Sequence, residues 1–196
     1  MWRMENIVIK RKEFTILEKL GDRSYKVERK GKLFFLKKFE GQKEEFNAFV
    51  KAAHRFSITA INTPKIYLYD KNNFIVVMQY VEGDNMLDLL IQSDLKEELI
   101  AMVFEINYLA KIEKMAINFY PEQFKYDGKK MYYLPFTYHE FKGQDMFPQE
   151  GIKYWFYTKE LVEYLKQKGL PYDEKRIGNT YQRNKEMALM AIKYYS

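Results

Sequence analysis

Residues 14–39 read FTILEKLGDRSYKVERKGKLFFLKKF, and they predict three consecutive β-strands. Each strand is a short run that mixes aromatic and aliphatic residues with charged ones, as expected when one face of a strand is buried. The runs occupy residues 14–20, 24–30 and 32–39. Gly21 and Gly31 lie between the runs, where tight turns are expected. The stretch therefore predicts an antiparallel meander.

The next segment predicts a helix and two more strands. Residues 43–56 repeat apolar side chains at the i, i+3, i+4, i+7 spacing of an amphipathic helix. These apolar positions are Phe46, Phe49, Val50 and Ala53. Strand-like runs follow at residues 64–70 and 73–81, with a tight turn at Lys71-Asn72-Asn73. Together with the meander they predict a five-stranded antiparallel sheet with one helix inserted after its third strand.

Beyond Glu82-Gly83-Asp84 the apolar period changes from that of strands to that of helices. Helices are predicted at 86–92, 94–114, about 153–169 and about 181–195, with a hairpin-bearing loop at 117–136. The buried stripe of the second helix is expected to consist of Leu95, Leu99, Met102, Ile106, Leu109 and Ile112. We therefore expect an α+β protein with a strand-rich part at 1–82 and a mainly helical part at 83–196.

The composition is that of a globular chain. Of its 196 residues 47% are hydrophobic, and 17 Tyr and 15 Phe exclude a disordered chain. The absence of cysteine excludes a thiol nucleophile, an iron–sulfur site and a Cys-based zinc site. The two histidines, His54 and His139, are interpreted as surface residues.

The formal charge of +6 is compatible with a nucleic-acid partner, but it is expected to spread over the whole chain. The basic runs at 28–32 and 127–130 are interpreted as solvated hairpin turns rather than as phosphate contacts. Residues 1–14 lack the apolar stretch of a secretory signal, and the longest apolar runs are too short to span a bilayer. These features predict a cytoplasmic protein without a membrane partner.

The predicted order of three strands, a helix, two strands, a short hinge and then helices around a hairpin resembles a protein kinase. Over residues 14–136 the chain resembles the compact bacterial and archaeal atypical kinases, a group that includes Rio kinases and aminoglycoside phosphotransferases. Residues 21–27 lie where the phosphate-covering loop is expected, and Met78-Gln79-Tyr80-Val81-Glu82-Gly83 is similar to the hinge. The resemblance implies these nucleotide-binding positions: Gly21, Phe35, Lys37, Glu45, Met78, Gln79 and Val81.

The resemblance also implies the position of the catalytic loop, where the functional groups of this chain differ from those of the family. The family pattern reads roughly Asp-Leu-His-Pro-Gly-Asn, then a hairpin, then Ile-Asp-Phe. This chain has NFYPEQ at 118–123 and LPF at 134–136, with the same spacing. The resemblance thus implies Asn118 at the catalytic base, and Gln123 and Pro135 at the two magnesium ligands. The amide of Asn118 does not accept a proton at neutral pH, and Pro135 has no side-chain oxygen for a hard cation.

Phe35 and the Lys37–Glu45 pair bear most directly on whether a nucleotide binds. Phe35 replaces the small residue that roofs the adenine in the family, and its ring is expected to fill that space. Strand alternation places Phe35 on the same face as Lys37. Lys37 and Glu45 form either a phosphate-gripping pair or a structural ion pair, and the degenerate loop favours the structural interpretation.

The preferred hypothesis is a pseudokinase that binds a protein partner or stabilises an assembly, with no cofactor expected. The first alternative is a small phosphotransferase that uses ATP and Mg²⁺. It would need a displaced acid in place of the family's ligands: Glu122, Asp127, Glu140 or Asp145. The second alternative is a basic nucleic-acid-binding module whose charge is concentrated on one face of the fold.

Overall fold

The computed structural model describes residues 5–143 and 147–195. These residues form two compact units. The strand unit consists of residues 5–58 and 63–81, and the helical unit consists of residues 59–62 and the described residues from 82 onwards. The segment 59–62 belongs with the helical unit, where the carbonyl of Asn62 accepts a hydrogen bond from the Tyr133 N–H at 2.9 Å.

The strand unit is one six-stranded antiparallel sheet with a helix, α1. Its elements are β1 (Glu5–Ile9), β2 (Lys12–Gly21), β3 (Ser24–Arg29), β4 (Lys32–Lys38), α1 (Lys43–Ser57), β5 (Ile66–Asp70) and β6 (Ile75–Gln79). The strand order is β1-β2-β3-β4-β6-β5. The five predicted strands and the helix are present, so the α+β class is confirmed.

The prediction of five strands is wrong by one, because β1 adds an edge strand that pairs with β2. The turn between them consists of Lys10 and Arg11, both at positive φ (47° and 63°). Such turns usually carry Gly, Asn or Asp. The sequence therefore holds no turn signal at this place, and α1 follows the fourth strand rather than the third.

Val76 and Met78 of β6 are buried on one face of the sheet, and an apolar core that includes Phe14, Val27 and Val77 lies on the other face. Alternation along β4 places Phe34 and Leu36 in this core, and it places Phe35 and Lys37 on the opposite face. The sheet curls strongly: the Tyr67 ring of β5 lies 6.4 Å from the Phe14 ring of β2, although three strands separate them in the sheet order. The same Tyr67 ring lies 4.8 Å from Phe34.

The helical unit contains short strands as well as helices. Its elements are β7 (Asp84–Asn85), α2 (Met86–Gln92), α3 (Glu97–Ile112), β8 (Met115–Ile117), β9 (Phe124–Tyr126), β10 (Met131–Tyr133), β11 (Tyr138–Glu140), a π-helical turn (Phe147–Gly151), a 3-10 turn (Ile152–Trp155), α4 (Lys159–Gln167) and α5 (Thr180–Tyr195). Two further 3-10 turns lie at Pro121–Gln123 and Glu174–Arg176. The predicted hairpin is formed by β9 and β10, and β7 pairs with the outer side of β9.

The buried face of α3 differs from the predicted stripe. Its buried apolar residues are Ile100, Val103, Phe104, Ile106 and Ala110, so Ile106 alone of the predicted set is fully buried. Ile112, expected in the core, is 58% exposed. The helix carries apolar residues on most of its circumference, and apolar periodicity therefore did not single out the correct face.

The two last predicted helices are present with altered bounds or burial. α4 begins at Lys159 rather than near 153, because the Thr158 hydroxyl caps it by accepting the Leu161 N–H at 3.2 Å. α5 is packed on one side only, and its Tyr181, Leu189 and Ile192 are exposed. Across the described ranges, each helix is too short or too polar to cross a membrane.

The charge is not spread over the whole chain as expected. The strand unit's described residues hold sixteen Lys and Arg against nine Asp and Glu, a net charge of +7. Residues 59–62 and 82–196 hold sixteen basic and eighteen acidic residues, a net charge of −2. The basic character of the protein is therefore a property of the strand unit.

Candidate functional site

Lys37 on β4 and Glu45 on α1 lie close together in the strand unit. The Lys37 Nζ is 3.9 Å from one carboxylate oxygen of Glu45, and the Arg23 guanidinium is 3.3 Å from the other. Arg23 also donates a hydrogen bond to the Gln42 side chain. The single carboxylate of Glu45 thus pairs with both Lys37 and Arg23, which leaves a local excess of positive charge.

Burial lowers the pKa of Lys37 from its ordinary value; Glu45 opposes this effect and Arg23 adds to it. The Lys37 Nζ also lies 5.0 Å from the centre of the Phe39 ring and 5.4 Å from that of Phe49. These contacts hold the lysine side chain between β4 and α1. The pair meets the geometric requirement of both the phosphate-gripping and the structural interpretation.

Phe35 and the hinge positions are part of the sheet. Phe35 is half-buried and pairs with Lys26 on β3 and Met78 on β6. Met78 and Val81 are buried. The Gln79 N–H donates to the Lys65 carbonyl at 2.8 Å, and its side-chain oxygen accepts the Lys65 N–H at 3.4 Å. The ring of Phe35 is thus held among strand residues on the face that also carries Lys37.

Gly21 is not required by the turn that follows β2. It is the last residue of the strand, and the turn itself falls on Asp22 and Arg23. A Cβ at Gly21 would meet only Ser24, at 3.9 Å. A turn is present at both predicted places: Gly31 lies within its turn at a φ of +72°, whereas Gly21 directly precedes its turn and is not at positive φ.

The loop that aligns with the catalytic loop lies in the helical unit and is closed by its own hydrogen bonds. The Asn118 side-chain oxygen accepts the Tyr120 N–H at 3.0 Å, and the Asn118 N–H donates to the Tyr133 hydroxyl at 3.1 Å. The Gln123 N–H donates to the Tyr120 carbonyl at 3.0 Å, and its carbonyl accepts the Leu134 N–H at 2.8 Å. Asn118 and Gln123 therefore both take part in the local structure of the loop.

Trp155 fixes this loop from beneath. Its indole N–H donates to the Phe119 carbonyl at 2.7 Å, and its fully buried ring lies 5.1 Å from that of Phe124. The ring of Trp155 therefore packs against the hairpin strand β9. Pro135 follows the hairpin, half-buried, and contributes no polar side-chain atom.

Glu122, one of the acids considered as a displaced ligand, is held by a cation and a phenol. One of its carboxylate oxygens accepts a hydrogen bond from the Tyr164 hydroxyl and lies 3.0 Å from the Lys168 Nζ. The other oxygen is buried and has no hydrogen-bond partner among the described residues. Burial and the neighbouring Glu122 raise the pKa of Tyr164 well above its ordinary range. Sequence reasoning missed this cluster because its members come from two distant segments.

The other displaced acids have different surroundings. Asp127 accepts the N–H groups of Lys129 and Lys130 at 2.8 and 2.7 Å in the hairpin turn, and these bonds lower its pKa, that from Lys130 most. Glu140 is exposed on β11. Asp145 lies outside the described residues. Within the described ranges, no group of three or more His, Asp or Glu side chains is placed to hold a metal ion.

No family model and no curated protein matches the chain. The resemblance to atypical kinases therefore depends on the residues named above and on their spacing.

A cavity of about 300 Å³ lies beside the loop, between α3, β8 and β11. Asn118, Phe119, Tyr120 and His139 are among its lining residues. His139 is exposed on β11, and His54 is exposed in the last turn of α1, as expected of surface histidines.

Proposed function

We propose that the protein is a catalytically degenerate kinase-like protein that acts by binding a protein partner rather than by phosphoryl transfer. The observation that carries the proposal is the structure of the loop at 118–123. Its side chains and backbone are used to close the loop and to hold the hairpin, and no carboxylate stands at the three positions where the kinase pattern needs a base and two metal ligands.

The chemistry of these positions supports the proposal. An amide in place of the base removes a contribution of roughly 10²–10⁴ to the rate. Pro135 removes the carboxylate on which the magnesium ion of a phosphoryl transfer depends, and with it most of the charge neutralisation of the transition state. One oxygen of Glu122 is held by Lys168 and Tyr164, and the other is buried, so neither oxygen is open to a magnesium ion without a local rearrangement.

The alternative of an active phosphotransferase draws its support from Lys37 and Glu45, whose ion pair is present. In that case ATP and Mg²⁺ would bind together to the wild-type chain. The two hypotheses therefore make opposite predictions about whether the wild-type chain binds ATP in a magnesium-dependent way.

The test is a thermal-shift titration with ATP, with and without Mg²⁺, on four proteins. These are the wild type, Phe35→Ala, Phe35→Ala combined with Asn118→Asp/Gln123→Asn/Pro135→Asp (called the triple variant), and the same triple variant with Lys37→Met. A ligand at about 100 times its Kd stabilises a protein by about 2.7 kcal/mol. For a chain of this size that is roughly 5–11 °C in the midpoint.

The wild type is expected to show no magnesium-dependent shift. The triple variant is expected to gain one, and Lys37→Met should abolish that gain because it removes the phosphate-gripping lysine. A shift with Phe35→Ala would show that the phenyl ring blocks the nucleotide. A magnesium-dependent shift of the wild type would overturn the proposal. Absence of any shift in the folded triple variant and in Phe35→Ala would contradict the kinase-like assignment itself.

A further inference from the structure

Tyr67 lies at the centre of a group of cations in the strand unit. Its hydroxyl accepts hydrogen bonds from the Lys12 Nζ at 3.2 Å and from the Arg29 guanidinium at 3.4 Å. Lys30 is near enough to act on the same hydroxyl electrostatically. We call these four residues the Tyr67 cluster. Its members come from β2 (Lys12), the end of β3 (Arg29), the turn after β3 (Lys30) and β5 (Tyr67), and the curl of the sheet brings them together.

The acidic side chains next to the cluster in sequence have other partners. Glu13 accepts a hydrogen bond from the Asn6 side chain at 3.0 Å, and Glu28 accepts the Gly31 N–H at 2.9 Å. Within the described residues, none of the three cations of the cluster forms an ion pair with a carboxylate. Their charges are therefore not neutralised by the protein, and the strand unit around them carries a net charge of +7.

The aromatic ring of Tyr67 is partly exposed beside these cations. The side chain is 41% exposed, and Phe34 and Phe14 support the ring from the core at 4.8 and 6.4 Å. Lys12 lies over the ring, with its Nζ 4.3 Å from the ring centre. A base that stacks on the ring would take this place, and Lys12 would then move to a phosphate.

We propose that the Tyr67 cluster binds single-stranded nucleic acid, with Lys12, Arg29 and Lys30 on successive phosphates and the Tyr67 ring against a base. Cations that follow the backbone and an aromatic ring that stacks on a base are the two elements of such sites. The position of the ring favours a nucleic acid over a lipid surface. Lys12 lies over the ring, so the ring does not project beyond the cations as an apolar side chain that inserts into a lipid surface must do.

The proposal predicts how strongly the binding affinity depends on salt concentration. Each phosphate contact contributes about −0.7 to the slope of log K against log salt for a single strand. Three contacts give a slope of about −2, or roughly a 20-fold loss of affinity between about 50 and 200 mM salt. Stacking on one base adds about tenfold or more in affinity.

The test is fluorescence anisotropy of the full chain with a labelled oligouridine of about 12 nucleotides, a length within the range of known single-strand sites. The variant Lys12→Gln/Arg29→Gln/Lys30→Gln removes three charges from the cluster. The matched control Lys19→Gln/Lys43→Gln/Lys51→Gln removes three charges from exposed positions elsewhere in the same unit. Tyr67→Leu removes the ring, and Tyr67→Phe retains it. Thermal midpoints verify that each variant is folded.

We expect the cluster variant to lose at least about tenfold in affinity and about two units of salt slope, whereas the control stays near the wild type. Tyr67→Leu should lose affinity and Tyr67→Phe should retain most of it. Equal losses in the cluster variant and the control would overturn the proposal, because binding would then reflect net charge alone. It would also be overturned by a duplex that binds as tightly as the single strand, by no binding of the oligonucleotide, or by cluster-dependent binding to phosphatidylserine vesicles in its place.

Discussion

Replacement of Gly83 by alanine is expected to destabilise the helical unit severely. Gly83 has a φ of +123°, and a Cβ placed there would lie 2.0 Å from the Tyr126 carbonyl oxygen and 2.8 Å from the Asp127 Cα. All the nearest atoms belong to the backbone of β9 and the hairpin turn, so a side chain cannot move aside to make room. The residue after Gly83, Asp84, pairs with Tyr126, and the clash would therefore separate β7 from β9.

The expected loss in the free energy of unfolding has two parts. An alanine forced into this backbone conformation costs about 1–3 kcal/mol. The overlap with the Tyr126 carbonyl requires a backbone shift that weakens the β7 pairing, which adds at least about 1 kcal/mol for a lost hydrogen bond. A total loss of at least about 2 kcal/mol corresponds to a fall of at least roughly 4–8 °C in the midpoint of a chain of this size.

Gly21→Ala is the matched control for this prediction. Gly21 is not at positive φ, and its Cβ would meet only Ser24 at 3.9 Å. This change is expected to alter the free energy of unfolding by less than about 0.5 kcal/mol. Both variants are compared with the wild type by urea denaturation followed by circular dichroism. If Gly83→Ala unfolds within that same small interval of the wild type, the reasoning from backbone overlap is refuted.

Two other changes test the helical unit. Trp155→Phe removes the indole N–H that donates to the carbonyl of the half-buried Phe119, so urea denaturation should show a loss of about 1–3 kcal/mol. An unchanged midpoint would contradict the role given to this bond. Burial and Glu122 raise the pKa of Tyr164 in the folded protein above 10.0, the pKa of an unperturbed tyrosine. The stabilisation that Tyr164 provides is therefore fully present below pH 10.0 and is lost as the pH rises above that value. Tyr164→Phe is expected to flatten the decline of the thermal midpoint above that pH, and an equally steep decline in the variant would exclude Tyr164 as its source.

The regular elements of the fold were largely predictable from local sequence. The alternation in residues 14–39 and the helical spacing of 43–56 each reflect one buried face, which a pattern of apolar residues reports directly. β1 was missed because Lys10 and Arg11 form its turn without a glycine or asparagine. The buried face of α3 was misassigned because apolar residues surround most of that helix, and the choice of face depends on its neighbours.

The candidate sites differ in how much of each could be predicted from the sequence. Lys37 and Glu45 were paired through the resemblance, and the ion pair is present. The Glu122 cluster and the Tyr67 cluster were not foreseen. Lys12 and Tyr67 are 55 residues apart, and Glu122 and Tyr164 are 42 apart. Such contacts arise from the curl of a sheet or the packing of a helix on a loop, and no local pattern encodes them.

The curl of the six-stranded sheet also affects how the protein behaves in concentrated solution. Free edge strands such as β1 and β5 offer unpaired N–H and C=O groups to any other strand that approaches. Here the two edge regions turn toward each other, and side chains from β2 and from the end of β3 bond to Tyr67 on the outer strand. An incoming strand would have to displace these lysine and arginine contacts and lie beside unneutralised cations. The geometry that creates a patch of positive charge thus also protects the sheet against edge-to-edge aggregation.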